Sequence, residues 1–295
     1  MYKYIQDSIK NNSRCVLKDL TKPQRKALSE IVRGLFTAGE PILRHIAQDK
    51  TKSAKKQAEK YSHHLGNVQI QEKVETLAMK EARKQIRKRT IIAYDLTDIS
   101  KESAKKIEKL SRVWDGSKRK INTGFSLHGV GINGILTKFQ MHDGGKFMLN
   151  QIRKKIVTEI SEKLGKKGIW VVDRGNDDKQ FFKFLRQDLK VDFIARLKEN
   201  RQVVIKKTGV KIQVKNLKAG KYTVYLMKKN NNRVDLSSEY TLVISNHLKG
   251  KEPIRLLHSL EFKFSKNQIV NMYLQRWGVE NIFKRVKEKF DLESI

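Results

Sequence analysis

The sequence predicts a mixed α/β fold in which an all-helical N-terminal region precedes a core built on a mixed sheet. Up to residue 89, apolar residues recur at helical spacing, as at Leu28, Ile31 and Leu35. Beyond residue 90, short apolar runs alternate with helical patterns, which is typical of strands buried between helices. We therefore divide the chain into a helical region, residues 1–89, and an α/β core, residues 90–295.

The helical region contains several short helices with basic faces. Thr21, followed by Pro23, predicts a helix start. Gly34 and Gly39 bracket a predicted break. Helix, turn and helix in this order are compatible with a helix-turn-helix reader of DNA. A helical bundle with solvated lysines is the alternative, and this segment taken alone favours it. Further helical patterns cover residues 41–46, 53–65 and 69–89.

Two short apolar runs in the core each end on an acid. Residues 91–94 lead to Asp95, and residues 168–172 lead to Asp173. Both runs are predicted to be buried strands with the acid at the carboxyl end. The other predicted elements are a hairpin of strands 125–132 and 135–141 around Asn133-Gly134, helices at 146–164 and 179–189, and a strand at 193–197.

A segment rich in β structure follows the second acid. From residue 201 to 233 apolar residues recur with a period of two, which predicts antiparallel strands. The same stretch contains ten basic residues and no Asp or Glu. One more strand is predicted at 240–245, and a long helix from about 265 to 289. We assign a β-rich insertion to about residues 199–245.

The formal net charge of +33 on 295 residues indicates a polyanionic partner, and nucleic acid is the leading one. An anionic membrane surface is the weaker alternative, since the N-terminal MYKYIQDSIK has neither a lipidation pattern nor an apolar signal core. No apolar run approaches the roughly 18 residues of a membrane span. The single cysteine, Cys15, excludes an internal disulfide. We therefore expect a soluble, cytoplasmic protein.

Asp95, Asp173 and Glu280 are the candidate catalytic residues. Acids at the carboxyl ends of strands point out of the sheet edge, and a carboxylate from a helix completes a set of oxygen ligands suited to hard cations. Enzymes that cut or join phosphodiesters hold two magnesium ions about 3.5–4 Å apart in such sites. Asp98 is an alternative to Asp95, although it also suits the cap of a helix starting near Ser100. Each acid alone has an ordinary explanation as a turn former, a cap or one half of a surface ion pair.

The predicted last helix presents an acid among cations. Its polar positions are Tyr273, Arg276, Glu280 and Lys287. In one continuous helix Tyr273, Glu280 and Lys287 project from nearly one line, because a helix drifts only about 20° per seven residues. Arg276 shares that face, since it precedes Glu280 by four. Trp277 lies beside this face, where we expect it to pack inside rather than to stack on an unpaired base.

Three motifs occur together in the core: AYDLTD with Asp95, VVDRGNDD with Asp173, and the Tyr-Arg-Glu-Lys spacing over 273–287. In this combination the sequence resembles the DDE transposases of bacterial cut-and-paste insertion sequences. The resemblance covers roughly residues 90–295 and implies an RNase H-like catalytic core. It also implies a β-rich insertion between the second Asp and the Glu, as residues 199–245 suggest.

The resemblance implies that Asp95, Asp173 and Glu280 hold two divalent metal ions, Mg²⁺ with Mn²⁺ as a substitute. Water would attack a phosphodiester at the element's end, and the freed 3′-hydroxyl would then attack target DNA. The implied partners are transposon terminal inverted repeats and target DNA, bound by a homodimer in the synaptic complex on the nucleoid of a prokaryotic cell. The residues implied to contact DNA are Tyr273, Arg276 and Lys287, near the transposon end, and Arg174 in a positioning role.

Two other functions stay open. Fifteen residues follow Glu280, whereas the family usually continues well beyond this helix. A truncated, catalytically inactive derivative that only binds transposon-end DNA is therefore the main alternative. A general RNase H-like nuclease would hydrolyse DNA without joining, but the implied phosphate contacts suit a positioned strand better.

Overall fold

The computed structural model describes most of the chain. Cys15, the initial MYKYIQDSIK, residues 228–232 of the insertion and the residues after Lys289 lie outside the described part. The described residues are 20–47, 53–104, 106–115, 120–143, 146–227, 233–246, 252–260 and 264–289.

The N-terminal region is helical, as predicted. Thr21 caps the first helix, because its hydroxyl accepts from the Gln24 backbone N–H while the Gln24 side chain accepts from the Thr21 N–H. Gly39 ends this helix in the left-handed conformation with φ 75°, and its N–H bonds the Leu35 carbonyl. Gly34 lies inside the helix rather than at a break, in close contact with Ile46. The described helices here are α1 (Lys22–Ala38), α2 (Leu43–Ile46), α3 (Ala54–Leu65) and α4 (Val68–Gln85).

The last of these helices, α4, packs on the α/β core. Its buried Met79 and Ala82 belong to the main hydrophobic core, and so does Ile86 just beyond its end. Glu75 of α4 forms an ion pair with Lys138, with 2.7 Å between Oε2 and Nζ. The N-terminal region is therefore joined to the core by apolar packing as well as by charge.

One mixed sheet of eleven described strands organises the core. Its order is β2-β3-β1-β5-β6-β11-β10-β9-β7-β8, with β4 paired to β3. The β1–β5 and β5–β6 pairs are parallel and the other pairs are antiparallel. The strands are β1 (Ile91–Ser100), β2 (Ser111–Asp115), β3 (Lys120–Ile132), β4 (Ile135–Met141), β5 (Ile169–Val172), β6 (Asp192–Arg196), β7 (Gln202–Ile205), β8 (Lys211–Gln213), β9 (Gly220–Met227), β10 (Val234–Ser245) and β11 (Ile254–His258).

Helices cover both faces of the sheet. The main core lies on one face, against α5 (Leu149–Lys163) and α6 (Lys179–Lys183), which a π-helical turn extends to Asp188. On the other face, α7 (Lys266–Leu274) packs on the middle strands, and α8 (Trp277–Lys289) packs on β1 and β3. This three-layer arrangement agrees with the predicted α/β class.

The predicted last helix is two helices. At the break, the Arg276 N–H bonds the Tyr273 carbonyl and the Val279 N–H bonds the Arg276 carbonyl, three residues back rather than four. The break lets α7 follow the middle strands while α8 follows β1 and β3, whose directions differ because the sheet is twisted. The predicted single line through Tyr273, Glu280 and Lys287 is therefore wrong, since it assumed one continuous helix.

Three features of the sheet differ from the sequence-based expectation. Strand β1 continues to Ser100, so the prediction that Asp95 ends its strand is wrong, and Asp95 and Asp98 both lie within it. No helix starts near Ser100 in the described residues. Strands β2 and β11 were not predicted, because neither SRVWD nor IRLLH alternates clearly between apolar and polar residues. The β-rich insertion extends the central sheet, since β11 pairs with β6 and leads on to β10 and β9.

Candidate active site at the carboxyl ends of the parallel strands

Asp95 and Asp173 lie side by side at one edge of the parallel part of the sheet. The last parallel pair of β1 and β5 is Tyr94 with Val172, and each acid is the next residue in its chain. Neighbouring strands lie about 4.8 Å apart, and residues in register share a face. Asp95 is buried and Asp173 is half-buried. The structure thus brings together the two acids that the apolar runs predicted.

The alternative acid, Asp98, faces away from this site. Side chains alternate along a strand, so Asp95 shares a face with Ala93 while Asp98, three residues on, points to the opposite face. Ala93 packs against Val279 and Phe283 of α8, which fixes the Asp95 face as the one that α8 covers.

Two glycines of β3 let α8 lie close to that face. Gly129 pairs with Asp95, and Gly131 pairs with Ala93. A Cβ at Gly129 would overlap the Phe283 ring, and one at Gly131 would lie 3.0 Å from the Val279 Cγ2. These two residues were not predicted to belong to the site, although glycine at alternate positions of a strand signals a close approach by another element.

Arg276 joins the acid on β1 to the acid on α8. Its Nη1 lies 3.0 Å from Asp95 Oδ2 and 2.6 Å from Glu280 Oε1. The Arg276 side chain is 6% exposed and that of Asp95 is 11% exposed, while Glu280 is 44% exposed. Charge-assisted bonds in so buried a place are strong and directional. The guanidinium therefore holds the start of α8 against the middle of β1.

Burial makes the Asp95 carboxyl harder to ionise. Burial raises the pKa of the Asp95 carboxyl to about 7; the Arg276 guanidinium opposes this shift, and the charges of Asp173 and Glu280 add to it. The pKa of Arg276 is raised despite its burial, by Tyr273, Asp95 and Glu280. The three acids are thus close enough to influence one another.

A buried polar network orients Asp173. Asn176 donates to Asp173 Oδ1 from its side-chain amide at 2.5 Å and from its backbone N–H at 3.2 Å. Arg153 in turn donates from Nη1 to the Asn176 Oδ1 at 2.9 Å, and it is 2% exposed. The guanidinium also bonds Asp178 and Asn150 through Nη2. The sequence contains no local signal for Arg153 or Asn176, because their contacts depend on how α5 packs.

The cationic and aromatic candidates occupy different environments. Arg174 is exposed and lies 3.6 Å from Glu252, joining Nη1 to Oε2. Lys287 is half-buried at a small apolar cavity of about 60 Å³. Tyr273 is 2% exposed, and its hydroxyl, like the Arg276 Nε, has no hydrogen-bond partner among the described residues. Trp277 is 48% exposed, so the expectation that it packs inside is wrong.

The donor set suits a hard divalent cation, but the side chains do not form a finished metal site. Three carboxylates offer the oxygen ligands that Mg²⁺ and Mn²⁺ accept. Arg276, however, lies between Asp95 and Glu280. Among the described residues, no three His, Cys, Asp or Glu side chains are grouped closely enough to hold a metal ion. The three carboxylates fit the metal by their chemistry, and two of them contact the Arg276 guanidinium.

The mixed sheet with helices on both faces has the architecture of an RNase H-like domain. A family model described as the transposase DDE domain matches residues 86–295, which is more than two thirds of the chain. The chain belongs to this family of DDE transposases, whose substrate is DNA and whose members use divalent metal ions. No curated protein matches the sequence at a significant level. Among the described residues, no helix is both long and apolar enough to span a membrane.

Proposed function

We propose that this transposase cuts DNA at transposon ends and joins the freed 3′-hydroxyl to target DNA, with Asp95, Asp173 and Glu280 as the catalytic residues. The observation that supports this proposal is the pairing of Arg276 with Asp95, which are 181 positions apart in the chain. Because Arg276 also contacts Glu280, this pairing places the acid of α8 at the same sheet edge as Asp95 and Asp173.

The three carboxylates would hold two divalent ions, Mg²⁺ or Mn²⁺. When bound, such ions supply the activation of the attacking oxygen and the stabilisation of the leaving one. Asp173 would be presented in a fixed rotamer by Asn176, since a ligand that is already oriented loses less freedom on binding. Asp95 must lose its proton to act as a ligand, so its raised pKa links metal binding to pH.

Arg276 would contact DNA phosphate after leaving the carboxylates. The guanidinium neutralises Asp95 and Glu280. Once those charges are otherwise compensated, the same guanidinium is free to bind a phosphate at the transposon end, next to the buried Tyr273 hydroxyl. Lys287 and the exposed Arg174 would contact the phosphates on either side, and the exposed Trp277 would stack on an unpaired base.

The helical region, residues 1–89, would bind the terminal inverted repeats, and residues 90–295 would form the catalytic domain. Helices α1 to α3 bury a small core of their own, including Ala27, Ile31 and Tyr61, as a compact DNA-binding unit requires. Because two transposon ends must be cut, we expect a homodimer in the synaptic complex, associated with the nucleoid of a prokaryotic cell.

The test is strand transfer of a pre-cut transposon end in the presence of Mg²⁺ or Mn²⁺. The variant is Glu280→Gln, and the matched control is Glu288→Gln, an exposed acid of the same helix that pairs with Lys284 at 3.6 Å. We expect Glu280→Gln to reduce joining to background and Glu288→Gln to leave it unchanged. Full activity of Glu280→Gln would contradict the site assignment. Specific end binding without cleavage by the unaltered protein would instead identify the truncated, inactive derivative.

A further inference from the structure

An open groove lies at the edge of the sheet opposite the carboxylates. It has a volume of about 840 Å³ and lies where β1, β5 and β6 begin. Since β5 has four residues, the strand itself separates the groove from Asp173 by roughly 13 Å. We call it the rear groove and define it by Lys88, Lys166, Lys167, Arg186, Lys190 and Asp192.

The rear groove carries an unbalanced positive charge. The four lysines are exposed, and none of their ammonium groups has an ion-pair or hydrogen-bond partner among the described residues. Arg186 is half-buried and donates from Nη1 to the Ser259 carbonyl at 2.6 Å, which fixes it at the groove wall. Asp192, the acid of the groove, has an interaction of its own.

Two of the lysines lie in turns where their backbone has a positive φ angle. Lys166 and Lys190 both have φ 56°, a conformation that favours glycine. Each follows a helical segment: the Lys166 N–H bonds the Ser161 carbonyl at 2.7 Å, and the Val191 N–H after Lys190 bonds the Leu185 carbonyl at 3.0 Å. The two ammonium groups therefore project from anchored turns rather than from loose loops.

Helix stabilisation explains only part of this charge. A cation near a helix C-terminus is favoured by the helix dipole, which accounts for one lysine at each of the two segment ends. Lys88 lies in the turn before β1, and Lys167 lies beyond the turn that ends α5, so neither is explained in this way. Unpaired cations around a concavity are what the phosphate backbone of DNA recognises.

We propose that the rear groove binds the phosphate backbone of a second stretch of duplex DNA, independently of its sequence. A straight duplex at the carboxylates cannot also fill a groove at the opposite end of the same strands. The rear groove would therefore let one subunit hold the reacting DNA and another DNA segment at once. This proposal rests on the proposed function only in taking the DNA at the carboxylates to be the reacting DNA.

The test is a capture assay in EDTA, so that no cleavage occurs. Protein bound to a biotinylated duplex of random sequence on beads is offered a labelled second duplex, of either unrelated or terminal-repeat sequence. The rear-groove variant combines Lys88→Gln, Lys166→Asn, Lys167→Gln and Lys190→Asn, in which asparagine tolerates the positive φ. The control has the same charge and combines Lys106→Gln, Lys109→Asn, Lys155→Gln and Lys266→Gln, with Lys109 also at positive φ, 64°.

We expect the rear-groove variant to bind the first duplex and to lose capture of both kinds of second duplex, whereas the control keeps both activities. For the second duplex bound to the unaltered protein, the slope of log affinity against log salt should be about −3 to −4. This value corresponds to one phosphate neutralised by each of the four lysines, at about −0.9 per phosphate. Capture by the rear-groove variant at the level of the control would overturn the proposal. Capture of terminal-repeat duplex alone would also overturn it, since the groove would then read sequence.

The capture assay and the strand-transfer test can contradict their two proposals independently. Glu280→Gln should capture a second duplex normally, because Glu280 lies at the other edge of the sheet. If Glu280→Gln keeps strand transfer, the assignment of the catalytic site is wrong and the rear groove is unaffected. Equal thermal stability of the two lysine variants shows that any loss of capture is not a loss of folding.

Discussion

Arg276 donates a hydrogen bond to Asp95 at 3.0 Å, between residues that the chain separates by 181 positions. The same Nη1 lies 2.6 Å from Glu280. One cation thus compensates two of the three acids and fastens α8 to β1. Removing Arg276 leaves the buried Asp95 carboxylate without its cation, which costs far more than the pair itself contributes.

Replacing Arg276 by Gln should destabilise the metal-free protein by about 3 kcal/mol at pH 8, because the buried Asp95 carboxylate loses its cation. The loss should be smaller at pH 5, where Asp95 is protonated. Mg²⁺ should restore part of the stability and bind Arg276→Gln more tightly than the unaltered protein. Urea unfolding with and without Mg²⁺ measures both effects.

The control is Lys284→Gln, whose exposed pair with Glu288 should change stability by less than about 0.5 kcal/mol. Equal Mg²⁺ affinity in both variants would show that Arg276 does not compete with the metal.

Replacing Asp95 by Asn should make the metal-free protein more stable above pH 7. The folded pKa of Asp95 is about 7 and its unfolded value is 3.8, so between these values the folded state binds more protons than the unfolded one. The free energy of unfolding therefore falls as pH rises from 4 to 7 and then levels off. Asn cannot ionise, so this fall should be absent, with a gain of roughly 2–4 kcal/mol at pH 8. Unfolding measured at pH 4, 6 and 8 checks this, and parallel pH curves for the two proteins would contradict it.

Replacing Asn176 by Ala should reduce strand transfer about 10- to 100-fold, since Asp173 loses the amide that orients it. The control is Asn150→Ala, because Asn150 bonds the same Arg153 guanidinium without contacting Asp173. Mn²⁺ affinity, followed by electron paramagnetic resonance, should fall for Asn176→Ala alone. If both variants lose affinity equally, the network supports folding and does not position Asp173.

Replacing Gly129 by Ala should destabilise the protein by about 1–3 kcal/mol and impair strand transfer, because the new methyl group pushes Phe283 and α8 away from β1. Gly278→Ala is the matched control on α8. Gly278 is exposed, has no atom within 4 Å of an added Cβ and lacks positive φ, so alanine should stabilise by about 0.5 kcal/mol. Thermal unfolding should show a lower melting temperature for Gly129→Ala and a higher one for Gly278→Ala. A change in the same direction for both variants would contradict the close approach of α8 to β3.

The sequence is enough to predict the two acids of the strands, but not to predict the residues that surround them. The places of Asp95 and Asp173 in the chain were predictable, because each directly follows a short apolar run typical of a buried strand, although Asp95 lies within β1 rather than at its end. The parallel register that makes them neighbours is a tertiary property. Arg153 and Asn176 had no local signal for the same reason.

The last helix shows where periodicity misleads. The spacing of Tyr273, Glu280 and Lys287 is regular, but the chain bends at Arg276, so a rule for one straight helix places Tyr273 wrongly. Its actual position, buried beside Arg276, follows from the twist of the sheet that α7 and α8 cover. The period of two in the insertion predicted strands correctly, but it did not show that they extend the central sheet.

The pairing of β6 with β11 governs how the chain must fold. Leu256 pairs with Arg196, so a central strand obtains its second neighbour only after the whole insertion has been traversed. Such non-local pairing makes folding slow. Until β11 arrives, the free edge of β6 is a template for strands of other chains. Changes that delay or shorten the insertion should therefore lower the yield of folded protein by promoting aggregation, even where they leave the site itself intact.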